Sequence, residues 1–214
     1  IRIECEQSAA IGVHIVFQQL CRNIFVPKGL NFLTIWVNDH KNIASKFPGF
    51  INELQGLDWQ IAITTTDVSG NGPDGQIISL RDGNNKQDPK RLFLTPAMPD
   101  AQKSFEHSIQ REANGYGAER PIMAALHALQ KRDKGNNAKF FRYGTPLAVV
   151  IVSDEDENSN AFGRTPNNPP PSNHPKWSID DEPLTLINYA QSIPGLSLTV
   201  HAIAIPPGDS VCLQ

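Results

Sequence analysis

Residues 147–160 read LAVVIVSDEDENSN, an unbroken apolar run that passes through one serine into four consecutive acidic side chains, Asp154, Glu155, Asp156 and Glu157. The run from Leu147 to Val152 has no polar alternation. A short β-branched stretch of that kind predicts a strand covered on both faces, as in a parallel sheet packed between helices. Ligands of such sheets sit just beyond the carboxyl ends of the strands. The four carboxylates therefore begin where an α/β domain keeps its site. Crowded carboxylates repel one another, and a hard cation with oxygen ligands would relieve that repulsion. A solvated acidic turn capping the helix that follows is the alternative.

Working outward, the chain alternates apolar β-rich runs with helical patterns. NFLTIWV (31–37) predicts a strand, and NIASKFPGFINEL (42–54) a helix with Ile43, Phe47, Phe50 and Ile51 near helical spacing. DWQIAITTTD (58–67) predicts the next strand, followed by the turn-rich GNGPDG. GQIISL and RLFLTP flank the polar RDGNNKQDPK, which reads as an excursion built on a hairpin at the sheet's edge or over its top. Residues 99–111 and 120–132 predict helices, the second with Pro121 in its first turn. GRTPNNPPPSNHPKW (163–177) is too rich in Pro and Asn for regular structure and reads as a long surface loop. A helix over 181–193 and a strand over 196–205 complete the pattern. No internal repeat or linker is evident, so residues 31–214 read as one α/β domain, with residues 1–30 an N-terminal segment of unassigned structure.

The chain has 214 residues, 39% of them hydrophobic, enough for one domain with a substantial core. A net charge of -3 with no basic stripe argues against a nucleic-acid surface. No apolar segment approaches the roughly 20 residues needed to span a bilayer as a helix. The sequence begins at Ile1 without an initiator methionine, which predicts a processed product or an excised segment. Its three cysteines, Cys5, Cys21 and Cys212, lie far apart with no CxxC pair, which disfavours a zinc site. They leave room for one bridge plus a free thiol, or for a partner thiol elsewhere.

The blocks LQGLDWQIAITTTDVSG, LFLTP, GYGAERPIMAALHAL, LAVVIVSDEDENSN and VHAIAIPPGDSVCL, in this order, resemble bacterial extracytoplasmic von Willebrand factor A domains across roughly residues 42–213. The resemblance implies a doubly wound, mostly parallel sheet flanked by helices. It also implies a metal-ion-dependent adhesion site at the top of that sheet and a role in binding another protein or a surface, without chemistry on a substrate. Family domains continue with another helix and an edge strand after the PPGD block. This sequence stops at Gln214, so those elements are expected outside it or from another segment.

The family site has three pieces. Asp154 matches the acidic residue that closes the fourth strand. The loop before the AALHAL helix carries Thr in the family but here reads NGYGAERP, where Glu119 is the one side-chain oxygen donor; it either replaces the hydroxyl as a ligand or caps its helix. The diagnostic Asp-x-Ser-x-Ser is missing: Asp39 stands near the first Asp, but Lys41 and Ile43 occupy the serine positions. A charged ammonium cannot ligate a cation, yet it could pair with Asp154 in its place. The metal set Asp154, Asp156, Glu119 and Asp39 is thus degenerate. One divalent cation, Mg2+ or Ca2+, is expected to bind weakly or not at all.

Other motifs are weaker. The six histidines show no HExxH spacing, and His127 and His201 lie in apolar elements where a hydrogen-bonded structural role is expected. Asp67, Asn71 and Asp74 are spaced loosely like a calcium loop without its closing Glu, so DVSGNGPDG reads as a turn. Ser153 lacks a surrounding GxSxG. Trp36 and Trp59 read as core or rim. Trp177, in the Pro-rich loop, reads as a partner anchor, with Glu155, Glu157 and Asp67 on the rim.

The resemblance implies an interaction or adhesion domain of a bacterial envelope or secreted assembly. It would be periplasmic, outer-membrane-associated or extracellular, with other proteins as partners and no nucleic acid. An oxidising compartment would pair Cys212 with Cys5 or Cys21, contributing on the order of 4 to 5 kcal/mol through the long loop closed. The alternatives are a metal-dependent hydrolase using Asp154, Asp156 and Glu119 on two cations, and a purely structural subunit.

Overall fold

The computed structural model describes residues 30–36, 47–69, 72–110, 119–152 and 178–203. In chain order these form β1 (Leu30–Trp36), α1 (Phe47–Glu53), β2 (Trp59–Thr65), α2 (Ala101–Ile109), α3 (Pro121–Gln130), β3 (Leu147–Val152), α4 (Pro183–Gln191) and β4 (Leu198–Ile203). The four strands make one sheet in the order β2-β1-β3-β4, and every pairing is parallel. The fold is α/β and doubly wound: the chain moves from β1 outward to β2, then returns to the other side of β1 for β3 and β4.

The alternation of side chains along each strand dictates two cores. Leu30 and Phe32 of β1, Trp59, Ile61 and Ile63 of β2, and Ala148, Val150 and Val152 of β3 point to one face, where Phe50 and Leu54 with Phe105 and Ile109 of α2 cover them. Phe32 meets Phe50 edge to face, with ring centroids 5.0 Å apart. Leu33, Ile35, Ala62, Val149 and Ile151 point to the other face, beneath α3 and the Leu186 and Ala190 side of α4. With helices on both sides, β1 and β3 have no wet face, which is why neither shows polar alternation.

Parallel strands require long returns, and the return from β2 to α2 runs along the outer edge of β2. Ile78 donates its backbone N–H to the Ile63 carbonyl at 3.0 Å, and Leu94 exchanges both backbone bonds with Ile61 at 2.8 and 3.0 Å. The predicted hairpin excursion therefore lies at the sheet's edge. It closes on itself through backbone bonds, Leu80 N to the Arg91 carbonyl at 2.7 Å and Asp82 N to the Lys86 carbonyl at 2.8 Å, with isolated antiparallel bridges from Arg81 to Gln87 and from Leu94 to Ile61 in place of two full strands. The α2 region adds further bonds to it. Ser108 Oγ accepts from Arg81 N at 2.7 Å, and the Asp100 carboxylate accepts from Gly83 N at 2.9 Å and from Arg91 Nη1 at 2.7 Å. An edge so occupied no longer offers a row of free backbone groups to another chain.

Two long-range polar ties fix the layers. Arg142 closes the amino end of the sheet: its guanidinium donates to Asn31 Oδ1 at 2.9 Å, Asp58 Oδ2 at 2.6 Å and the Leu30 carbonyl at 3.1 Å. This satisfies Asn31, an otherwise costly polar group inside a buried strand. Asn137, in a 3-10 turn after α3, is wholly buried. Its amide donates to the Gly75 and Ala128 carbonyls at 3.0 and 3.1 Å, while its Oδ1 accepts from Ile77 N at 2.8 Å. Gly75 makes that approach possible, because a Cβ there would lie 2.5 Å from Ala128 N, and its φ of +76° disfavours other residues.

The predicted elements are recovered with shorter ends. Helix 99–111 runs Ala101–Ile109, helix 120–132 ends at Gln130, helix 181–193 runs Pro183–Gln191, and strand 196–205 runs Leu198–Ile203. Pro183 explains one boundary, since it fits a first helical position and not an interior one. Among the described residues, no helix is long and apolar enough to cross a membrane.

Replacing Asn137 with Ala leaves three buried backbone groups unpaired, so Asn137→Ala is expected to cost about 3 kcal/mol or more. Asn136, half-buried and donating once to the Ile77 carbonyl, should cost clearly less when changed to Ala. Urea unfolding of both variants checks the ranking; equal losses would refute the tie.

Candidate binding face at the carboxyl ends of the strands

Register brings the strand ends level: Trp36 lies opposite both Thr65 and Val152, and Val152 opposite Ile203. All four carboxyl ends therefore meet at one rim. The strand order reverses between β1 and β3, the switch point at which open α/β sheets leave a crevice for a ligand. The chain leaves β1 toward Asp39 and Lys41, and β3 toward Asp154, Glu155, Asp156, Glu157 and Trp177. These residues, with Cys5, Cys21 and Cys212, lie outside the described residues. Glu119 and Asp67 lie within them.

Glu119 is buried where the α3 loop meets the end of β2, and the next residue, Arg120, donates its backbone N–H to the Thr66 carbonyl at 3.2 Å. The described end of that loop, residues 119 and 120, therefore abuts the end of β2. Asp67 is half-buried, and its carboxylate accepts from Ser69 N at 2.8 Å in a turn closed by Asp74 N donating to the Asp67 carbonyl at 3.0 Å. Gly72 is needed here: a Cβ would fall 2.3 Å from Asp67 Cγ. Asp67 organises its own loop, as an Asx turn does, so the DVSGNGPDG stretch is the turn its composition predicts. Among the described residues, no three His, Cys, Asp or Glu side chains are grouped to hold a metal ion.

Comparison with known proteins was uninformative: no family model, curated protein or solved structure matches the chain.

The strongest electrostatic feature at the rim was not legible in the motifs. Arg120 grips the wholly buried Asp181 in bidentate fashion, Nε to Oδ1 at 2.8 Å and Nη2 to Oδ2. Asp181 Oδ2 also accepts from Ser178 N at 2.9 Å, and Ser178 Oγ accepts from Asp180 N at 3.2 Å. This reciprocal box locks the turn before α4 onto the start of α3. The spacing of Ser178 and Asp181 in SIDDEP was the available signal. The guanidinium fork matches the carboxylate, so a buried charge that would otherwise be prohibitive is satisfied.

A second cluster lies two turns along α3. His127 Nδ1 sits 2.5 Å from Asp74 Oδ1, Lys131 Nζ reaches the same carboxylate and the Asp74 carbonyl, and His127 Nε2 lies 3.8 Å from Asp180. His127 thus has the expected structural role. His201 differs from that expectation: its Nε2 is buried with no hydrogen-bond partner among the described residues, and burial holds its pKa below the ordinary imidazole value.

Burial alone would raise the Asp74 pKa, but hydrogen bonds from Lys131 and His127 outweigh it and hold the carboxyl below its usual value of 3.8. A depressed folded-state pKa contributes stability that is present above the unfolded value and lost as pH falls through the folded one. Asp74→Asn is therefore expected to flatten the decline of stability below about pH 4. Unfolding midpoints measured from pH 3 to 6 check this; identical pH slopes in both proteins would contradict it.

Proposed function

We propose that this chain is a protein–protein interaction or adhesion domain of a bacterial envelope or secreted assembly, and that it binds through the face at the carboxyl ends of its strands. The observation that carries the reading is the switch point between β1 and β3, from which the chain runs directly into the acidic stretch 154–157. A doubly wound parallel sheet with that reversal agrees with the resemblance to von Willebrand factor A domains. Two segments that flank the rim, residues 65–69 and 178–181, are held by capping and ion-pair bonds, and loops carried on a rigid scaffold are where recognition concentrates. Trp177 is the anchor, and Glu155 and Glu157 orient the partner. Asp67 shapes the rim through its turn.

Site-specific photocrosslinking in native cells tests the assignment. A crosslinker at position 155 or 177 should capture the partner, whereas one at the exposed positions 102 or 103 of α2 should not. The reverse pattern overturns the reading. Trp177→Ala should weaken binding by roughly 2 kcal/mol or more, while changes at Glu155 and Glu157 should act mainly on association rate and its salt dependence.

The loss of Asp-x-Ser-x-Ser favours weak or absent cation binding by Asp154, Asp156, Glu119 and Asp39. Calorimetric titration with Mg2+ and Ca2+ is expected to give no submicromolar binding. Submicromolar binding that disappears in Asp154→Ala would restore a working cation site.

A further inference from the structure

His127 stands between carboxylates from two other parts of the chain. Asp74, from the turn after β2, faces Nδ1 at 2.5 Å; Asp180, from the turn before α4, faces Nε2 at 3.8 Å. A neutral imidazole carries one N–H. With that proton donated to Asp74, the ring presents its Nε2 lone pair to the Asp180 carboxylate. Protonation replaces this unfavourable approach with a charge-assisted contact.

We propose that His127 is a proton-operated tie that joins the turn carrying Asp74 to the turn carrying Asp180 across the outer side of α3. Of the other charged groups nearby, Lys131, one turn along α3, shares the Asp74 carboxylate with His127 and also reaches the Asp74 carbonyl, so Asp74 is fastened to α3 in either state of the ring. Asp181 is held by Arg120 and Ser178. Glu182, at the start of α4, is also engaged. Within α4 the one ionisable side chain is Tyr189, which accepts from Arg132 at 3.1 Å. The sheet beneath α3 presents the apolar Leu33, Ile35 and Ala62. Asp180 thus faces His127 as its cationic partner, and the turn at 178–181 has one permanent fastening, Arg120 to Asp181, and one that depends on a proton.

The tie requires the charged imidazole and is absent from the neutral ring. The turn at 178–181 flanks the proposed binding face, so the device would regulate that face. In that respect it rests on the reading above, but the tie itself does not require a partner.

A double-mutant cycle on the full chain tests it. Urea unfolding midpoints of the wild type, His127→Gln, Asp180→Asn and the double variant are compared at about pH 5.5 and about pH 7.5, a range over which histidine side chains change charge. At the lower pH the double variant should lose clearly less than the sum of the two single losses. At the higher pH that favourable coupling should be gone. Coupling that is equal at both pH values, absent at both, or confined to the higher one overturns the proposal. If His127→Gln does not fold, Asp180→Asn alone decides: it should lower the midpoint at pH 5.5 but not at pH 7.5, and a loss independent of pH, or none at pH 5.5, refutes the tie. These outcomes leave the crosslinking pattern untouched, so the tie and the binding face can fail separately.

Discussion

The parallel pairing of β1 with β3 is the constraint on which the other elements depend. Neither strand has a side that can face water, so each must be roofed twice, and the large side chains they bury are worth roughly 1.5 to 3 kcal/mol apiece. Parallel neighbours cannot be joined by a tight turn, so every connection must cross a face, and the crossing helices are the roof. The same geometry sends all carboxyl ends to one side. Fold and candidate face are two results of one pairing.

Elements whose signal is local were legible in the sequence. The runs at 59–65 and 147–152 are apolar and β-rich, and the helix at 121–130 begins with a proline suited to its first turn. The candidate face was legible only as a location, the end of β3, because the rule that places it concerns strand ends and not particular side chains. The ties that hold the layers were not legible. Asn137 with Gly75, Arg142 with Asn31, and Arg120 with Asp181 each join residues 60 or more positions apart, and nothing in a polar residue's neighbours announces a distant partner. The excursion between β2 and α2 was legible as a hairpin at the sheet's edge, because its turn residues are local; that Ser108 and Asp100 would pin it was not.

The polar groups divide by depth. Asn31, Asn137 and Asp181 are buried and hydrogen-bonded to distant partners, so each fixes the arrangement of the elements around it, at the risk of a large penalty if one partner is lost. Asp74, His127 and Asp180 are partly solvated, where a changed charge alters a contact without unfolding the layer beneath. Alanines along the buried side of α3 let the Gly75 turn come close enough for both kinds to share one helix.

Arg142 has a mechanical consequence. It ties the amino end of β1 to the start of β2 and the carbonyl of Leu30, while the whole length of β1 is bonded to a strand on either side. Tension entering through the chain ahead of Leu30 would draw β1 lengthwise between its two neighbours, loading their bonds in shear and all at once, with the guanidinium as the first to resist. Tension entering through β4, which has a neighbour on one side among the described residues, would load a single ladder. Drawn along its own axis, β1 would thus resist through two ladders where β4, among the described residues, resists through one.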